Sequence, residues 1–574
     1  MAEEKRLEIP YAVSNFARLR EENYYYVDKT MYIEQLEKYS APVFLRPRRF
    51  GKSLLVSVLE HYYDRSKRER FDSLFAGTYI GGHPTDRHSK FIIIRYNFST
   101  MQVVDDMTQL KKNFDDAYIA PVEIAVAHNS DILNGFVPSD PRDASKMLAD
   151  LLNYISKNNL PQAYILIDEY DNFTNQMLTA NNDHLYEDVT TGDSFLRTFF
   201  KVIKAGLETG AVNTCFCTGV LPVTIDDMTS GYNVAQVITL EPEFRYMLGF
   251  THEEARTYLR YVLERYIGSQ ERFDEIWQLL LSNYDSYRFS SDAEPLFNST
   301  IISYFLQKFA NQKEVPNELI DYNLRTDVNW IRRLTLTLDN AKEMLDKLLI
   351  DGNLGFLSKD LSVRFNRQKF FDKDYYPASL FYLGMVSIRD EYSLCLPNLT
   401  MKSIYMDYYN DLYQIAQNRS IFVPAFRLFS KDRKLETLVQ MYFEKYLGQF
   451  PAQAFDKVNE NFIRCSFFGM VSQGMYNQYT FSMENNLPSG RTDFEMIGVP
   501  GTSYHNDVRL IEFKYFHAKD ERRIKGKREP YAEDKKQVLA YKADIQAQWP
   551  QYKITAYVVY ICANRCYKCF NLGL

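Results

Sequence analysis

The stretch FLRPRRFGKSLL, Phe44–Leu55, decides how the first half of the chain folds. Gly51, Lys52 and Ser53 close what reads as a phosphate-binding loop, yet the usual G-x-x-x-x-G-K-[ST] pattern wants a glycine where Arg46 stands. The residues before the loop are apolar, and Leu54, Leu55, Val58, Leu59 and Tyr62 after it recur at helical spacing. The pattern predicts strand, loop and helix. A helix start offers free amides and the positive end of its dipole to an anion. Gly51 would let the backbone approach, Lys52 would reach the β/γ-phosphates and Ser53 would hold magnesium. Arg46 cannot copy a left-handed glycine cheaply and Pro47 has no amide to donate, so the loop must differ in shape from the standard one. Arg46 and Arg49, with Arg48, could present forked donors to phosphate instead.

A second stretch, AYILIDEYDNF, supplies the companion such a loop needs. An apolar strand over Tyr164–Ile167 ends in Asp168 and Glu169. The first carboxylate can bind magnesium and the next can polarise the attacking water. A strand that merely ends in a charged loop is the plainer explanation, but its pairing with Gly51-Lys52-Ser53 favours a nucleotide site. FIIIRYNFS (Phe91–Ser99) and NTCFCTGV (Asn213–Val220) read as two more buried strands. Strands alternating with helices imply a parallel sheet whose ligands gather at the strand ends, which places Thr218 to sense the γ-phosphate.

With YVDKT (Tyr26–Thr30), RPRRFGKS (Arg46–Ser53), LIDEYD (Leu166–Asp171), TGVLPV (Thr218–Val223), MLGFTHEE (Met247–Glu254) and YDSYRF (Tyr284–Phe289), the chain resembles the AAA-ATPase-like proteins that carry a C-terminal PD-(D/E)xK nuclease-like domain. The resemblance covers nearly the whole chain. It implies that the arginine-rich loop without its first glycine is a family trait, and that ATP binding is retained.

The remaining composition is consistent with this. A chain of 574 residues is too long for one core, and 46% hydrophobic with 25% charged residues is ordinary for a folded globular protein. The 44 Tyr and 40 Phe are expected at core positions and imply no function by themselves. A formal charge of -6 argues against a basic coat, so any nucleic-acid contact must be local, as over Lys514–Lys536. No secretory start and no membrane-length apolar run is present in the sequence, which leads to the expectation of a cytoplasmic protein without a membrane partner. The seven cysteines suit reduced thiols. Cys562, Cys566 and Cys569 suggest zinc ligands but lack an obvious fourth.

In the middle, THEEARTYLRYVLERY (Thr251–Tyr266) reads as a capped amphipathic helix serving as lid or connector. The resemblance places Arg288 of YDSYRF near that lid, where it could sense phosphate or hold a structural salt bridge. LFYLGMVSIRDEYSLCLPN (Leu380–Asn398) reads as a helix end and a two-stranded hairpin of winged-helix type, expected to bridge two domains rather than touch DNA.

The second chemistry lies in SGRTDFEMIGVPGTSYHNDVRLIEFKYF (Ser489–Phe516). RTDFEMIGV and VRLIEFKYF read as two strands around a turn near Thr502 and Ser503, which sets Asp493 opposite Glu512 or its neighbour. Alternation puts Glu512 and Lys514 on one face. Two carboxylates and an ammonium among apolar positions are costly unless something binds them, and a divalent cation on Asp493 and Glu512 would offset the repulsion. This looks like the D…ExK core of PD-(D/E)xK nucleases, with Arg491-Thr492-Asp493 in place of the literal Pro-Asp. Glu460 at the head of a helix resembles their extra metal ligand, and Gln537 with Tyr541 matches the Q-x-x-x-Y spacing of RecB-like nucleases. The turns SGRTD and IGVPG complete the likeness.

The expected α/β architecture is therefore a P-loop, AAA-like parallel-sheet ATPase domain (1–240), a helical lid and winged-helix-like connector (241–405) and a restriction-endonuclease-like PD-(D/E)xK domain (406–574). Expected catalytic residues are Glu169, Asp493, Glu512, Lys514, Gln537 and Tyr541. Arg46, Arg49, Gly51, Lys52, Ser53, Asp168 and Thr218 are expected to bind ATP. Ser53 and Asp168 would hold Mg²⁺ at the first site, and Glu460, Asp493 and Glu512 would hold Mg²⁺ or Mn²⁺ at the second. The expected function is ATP control of a DNA nuclease, by analogy in defence against phage or mobile DNA. The alternative is a nucleotide-dependent switch that binds nucleic acid or protein without cutting. Whether copies of the chain form a homo-oligomer stays open.

Overall fold

The computed structural model describes residues 6–228, 231–316, 319, 330, 333, 341–361, 364–415, 419–476, 478–499 and 502–573. Pro500 and Gly501 of the expected IGVPG turn lie outside the described residues.

Five parallel strands form the N-terminal sheet: β1 (Pro42–Leu45), β2 (Ile92–Asn97), β3 (Ala163–Asp168), β4 (Val212–Gly219) and β5 (Gln236–Val237), in the order β2-β3-β4-β1-β5. Every residue of β1 and β3 is buried, as expected of strands covered on both faces. The order sets β4 between β1 and β3, with Phe44 beside Thr218. The end of β4 is thus wedged between the phosphate loop and the acidic strand tip. Helix α1 (Lys52–Tyr63) starts directly after Gly51, whose φ of +95° is the left-handed turn that glycine permits.

The helical segment expected to be lid or connector has a core of its own, in which α2 (His252–Val262) packs with a helix over Phe273–Tyr284 and with α3 (Ser299–Gln312). The capping box expected at Thr251 and Glu254 is formed. Glu254 also pairs with Lys29 at 2.7 Å, and that ammonium donates to Tyr246 O, so the YVDKT segment is tied to the lid. Beyond the lid, β6 (Leu354–Gly355), β7 (Ser387–Asp390) and β8 (Ser393–Cys395) form a small antiparallel sheet, with α4 (Leu399–Leu412) following. The helix Tyr376–Tyr382 and the hairpin β7–β8 stand where a helix end and a two-stranded hairpin are expected.

The C-terminal sheet is mixed. It contains β9 (Tyr479–Met483), β12 (Phe494–Gly498), β13 (Asp507–Phe516), β14 (Lys553–Cys562) and β15 (Cys566–Asn571), while β10 (Asn486–Leu487) and β11 (Gly490–Arg491) make a separate short hairpin. Only β13 and β14 run parallel, and the connection between them carries α6 (Ala532–Gln548). Helix α5 (Glu460–Met475) packs on the opposite face, where Phe467 meets Phe494 and Phe513. Tyrosines are prominent among the largest fully buried side chains, including Tyr62, Tyr63, Tyr164 and Tyr170, so the aromatic richness does fill cores.

Candidate active sites

A cavity of about 480 Å³ opens at the start of α1. Arg49, Gly51, Lys52, Ser53 and Glu169 line one part of it; Tyr25, Leu55, Leu248 and Phe250 make an apolar part. A cavity lined by both cationic and apolar side chains suits a ligand that joins phosphates to a flat base. Tyr25 also stacks face to face on Tyr258 of α2, with centroids 4.2 Å apart, so the lid backs the apolar wall.

Lys52 Nζ donates to Arg46 O (2.8 Å) and Pro47 O (3.0 Å). Burial lowers its pKa, opposed by Glu169, Asp171 and Asp168. Burial raises the pKa of Glu169, which sits at φ +53° and accepts from Asn172 Nδ2. A non-glycine residue held in that conformation is strained, and such strain clusters at functional sites.

Two expected phosphate contacts are placed otherwise. Arg46 is 1% exposed and absent from the cavity wall. Its guanidinium donates to the carbonyls of Leu45, Thr239, Phe244 and Arg245 and lies over the rings of Phe44 and Phe289. Burial brings its pKa down to about 9, which still leaves it charged at neutral pH. It is a structural cation. Thr218 is fully buried, and its Oγ1 donates to Asp168 Oδ1 (2.8 Å) while accepting from the Glu169 amide (3.4 Å). It orients the carboxylate of Asp168 rather than facing a ligand.

Asp171, not singled out from sequence, binds LIDEYD to TGVLP. Its carboxylate accepts from the amides of Val220 and Leu221 and from Asn175 Nδ2. Any Cβ at Gly219 would lie 2.5 Å from Asp171 Oδ1, so glycine is required there.

At the C-terminal sheet, Phe494 pairs with Ile511, and continuing that register puts Asp493 opposite Glu512. Asp493 Oδ2 accepts from the Phe513 amide at 2.8 Å. Lys514 Nζ lies 3.0 Å from Glu512 Oε1 and 3.8 Å from Glu460 Oε2, while the Tyr515 amide donates to Glu460 Oε1 at 3.4 Å. Burial and then Asp493 raise the pKa of Glu512 to about 7, against the pull of Lys514. Glu512 Oε2 is buried without a hydrogen-bond partner. An orphaned carboxylate oxygen facing a second acid is what a divalent cation would satisfy, so these residues fit Mg²⁺ or Mn²⁺. Among the described residues no three His, Cys, Asp or Glu side chains are already drawn around a metal position. Asp493 Oδ1 is instead paired with Arg464 at 2.8 Å. Arg464 carries no motif that would single it out in the sequence, although it stands one helical turn after Glu460.

Gln537 donates to Tyr541 Oη at 2.6 Å, forming the expected pair. Tyr541 packs in a cluster with Val508 and Leu510, which share a face of β13 with Glu512. A Cβ at Gly490 would come 2.9 Å from Tyr541 Oη, and Ser489 donates to Asp544, so α6 also props the SGRTD turn. Cys562, Cys566 and Cys569 are not a zinc set: Cys562 and Cys566 donate to the carbonyls of His517 and Glu521, and Cys569 projects from the other face of β15.

Two family models match parts of the chain. Residues 10–229 match the family model described as "Predicted AAA-ATPase", and residues 458–571 match that of the PD-(D/E)XK nuclease superfamily. An uncharacterized protein in the vnfD 5′ region of Azotobacter chroococcum mcd 1 is 25% identical over 251 residues, 43% of this chain and 44% of that protein. This chain thus spans less than half the length of that curated relative. No solved structure matches. No helix among the described residues is long and apolar enough to cross a membrane.

Proposed function

We propose, on the premise that one chain joins an AAA-ATPase-like domain to a PD-(D/E)XK nuclease superfamily domain, that it binds and hydrolyses ATP and that the state of the phosphate loop governs metal-dependent cleavage of DNA. One observation carries the control. The loop is seated on the middle module: Arg46 lies 3.8 Å from the Phe289 ring, Phe50 packs edge-on against the same ring, and Pro47 abuts Gly384. The Arg288 amide donates to Ser387 Oγ on β7, whose hairpin borders the nuclease cavity. A loop that adjusts to phosphate therefore bears on the hairpin directly.

In this reading Lys52 and Arg49 bind phosphate, Ser53 and Asp168 hold Mg²⁺, Thr218 fixes Asp168, and Glu169 orients water. Asp493, Glu512 and Glu460 are the residues that would hold the nuclease ion, which supplies charge neutralisation and a more acidic water. Lys514 orients that water or stabilises charge on phosphorus, and Gln537 with Tyr541 positions the strand. Use in defence against phage or mobile DNA rests on analogy of architecture.

The Arg464–Asp493 pair favours one alternative, a nucleotide-dependent switch that binds nucleic acid or a protein without cutting. Cleavage of linear and circular DNA in Mg²⁺ or Mn²⁺, with and without ATP, separates the two. Cutting that is lost in Glu512→Ala and altered by ATP or by Lys52→Ala supports the gated nuclease. ATP binding with no cutting of DNA or RNA under any condition supports the switch.

A further inference from the structure

The hairpin β7–β8 does more than bridge domains. Together with α4 and the segment Leu348–Gly352 it lines a cavity of about 990 Å³ whose other side is the start of α5, with Glu460 and Arg464, and the neighbouring Arg491. Asparagines on either side of Glu460 fasten that helix start to the middle module, since Asn459 donates to Ile350 O at 2.7 Å and Asn461 to Leu349 O at 2.9 Å. Across the cavity Lys402 of α4 lies 3.5 Å from Glu484, which Arg464 and Arg491 also approach, at 3.5 and 2.7 Å. With Arg464 also paired to Asp493 at 2.8 Å, these three cations meet two carboxylates, an excess of one positive charge. Arg389, at the end of β7, adds to it: the side chain is exposed and has no ion pair among the described residues. The acids that line the same cavity, Asp351, Asp456, Glu460 and Glu484, all come from outside the hairpin and α4. In a chain of net charge -6, a cationic wall across a cavity from Glu460, one member of the acidic cluster, is a local feature with a specific complement, a polyanion whose phosphates run along the wall toward that cluster.

We infer that the middle module is the second wall of the nuclease cleft, and that Arg389 and Lys402 grip the phosphodiester backbone of the strand entering the Glu460, Asp493 and Glu512 cluster. This rests on the nuclease reading above. It gives the hairpin a ligand of its own and makes substrate affinity a property of a module outside residues 458–571.

The test is fluorescence anisotropy of labelled single-stranded and duplex DNA in EDTA, where no cleavage intervenes, over a range of salt. Arg389→Glu should weaken binding about tenfold or more for the form that the wild-type chain prefers, and lower the salt slope by about one for each phosphate no longer neutralised. Arg389→Lys should restore most of the affinity, Lys402→Gln should weaken it independently, and Arg142→Glu on the ATPase domain should change nothing. If Arg389→Glu and Lys402→Gln bind like Arg142→Glu while the wild-type chain binds and cuts DNA, the wall is overturned and the nuclease reading stands. A wild-type chain that binds neither DNA nor RNA overturns both.

Discussion

Gly384 lies so close to Pro47 that a Cβ on it would come within 2.5 Å of the proline Cβ, and its φ is +73°. The phosphate loop and the hairpin module therefore meet where neither backbone can yield. A methyl group at this position adds about 1 kcal/mol for the left-handed backbone and about 1–3 kcal/mol for the overlap. Gly384→Ala should lower the melting temperature and reduce the response of cleavage to ATP while metal-dependent cleavage persists. The rate ratio with and without ATP is the measurement, and an unchanged ratio would remove this contact from the control path.

Arg46 and Lys52 should separate in their effects. Arg46→Ala strips donors from four carbonyls, three of them in buried contacts and each unsatisfied buried acceptor costing about 1–3 kcal/mol, so it should unfold the domain easily. Lys52→Ala strips donors from two carbonyls but also removes a charge that burial disfavours, so it should abolish ATP binding while lowering the melting temperature less than Arg46→Ala does. Calorimetric ATP titration beside thermal melts distinguishes them. Normal melting of Arg46→Ala with lost ATP affinity would return Arg46 to the phosphate site.

The contrast shows what the sequence could carry. The strand–loop–helix of Phe44–Leu55, the acid-tipped β3 and the register that sets Asp493 against Glu512 are legible because alternation, helical period and turn residues act locally. The role of Arg46 is not, because three of its four carbonyls and Phe289 come from segments far from it in the chain, and an arginine bound to backbone looks in sequence like one bound to phosphate. Thr218 looks like a ligand contact for the same reason: strand order, which propensity does not encode, decides that its hydroxyl meets Asp168. Arg464 on Asp493 is a tertiary pairing that only the packing of α5 against β12 and β13 creates.

Glu512 predicts a pH dependence for the metal-free protein. Its folded pKa of about 7 lies above the roughly 4.3 of an unfolded glutamate, so the folded state holds the extra proton in that window. Stability in EDTA is then highest below the unfolded pKa and declines as pH rises toward 7, by at most on the order of 3 kcal/mol. Glu512→Gln should abolish that decline. Denaturant melts across this window decide it, and equal slopes for both proteins would show that the carboxylate ionises freely.

Arg464 occupies Asp493 Oδ1, an oxygen a metal ion needs, and it also pairs with Glu484. A guanidinium seated on a metal ligand competes with the cation while shielding the carboxylates from one another in its absence. Arg464→Ala should therefore have opposite effects on two measurements. Stability in EDTA should fall by about 3–5 kcal/mol, because a largely buried acid loses its partner. Mn²⁺ affinity, read by titration calorimetry, should rise several-fold, since the ion no longer displaces an arginine. A fall in Mn²⁺ affinity would mean instead that Arg464 holds Asp493 in the ligating position, and that the pair belongs to the loaded site as well as to the empty one.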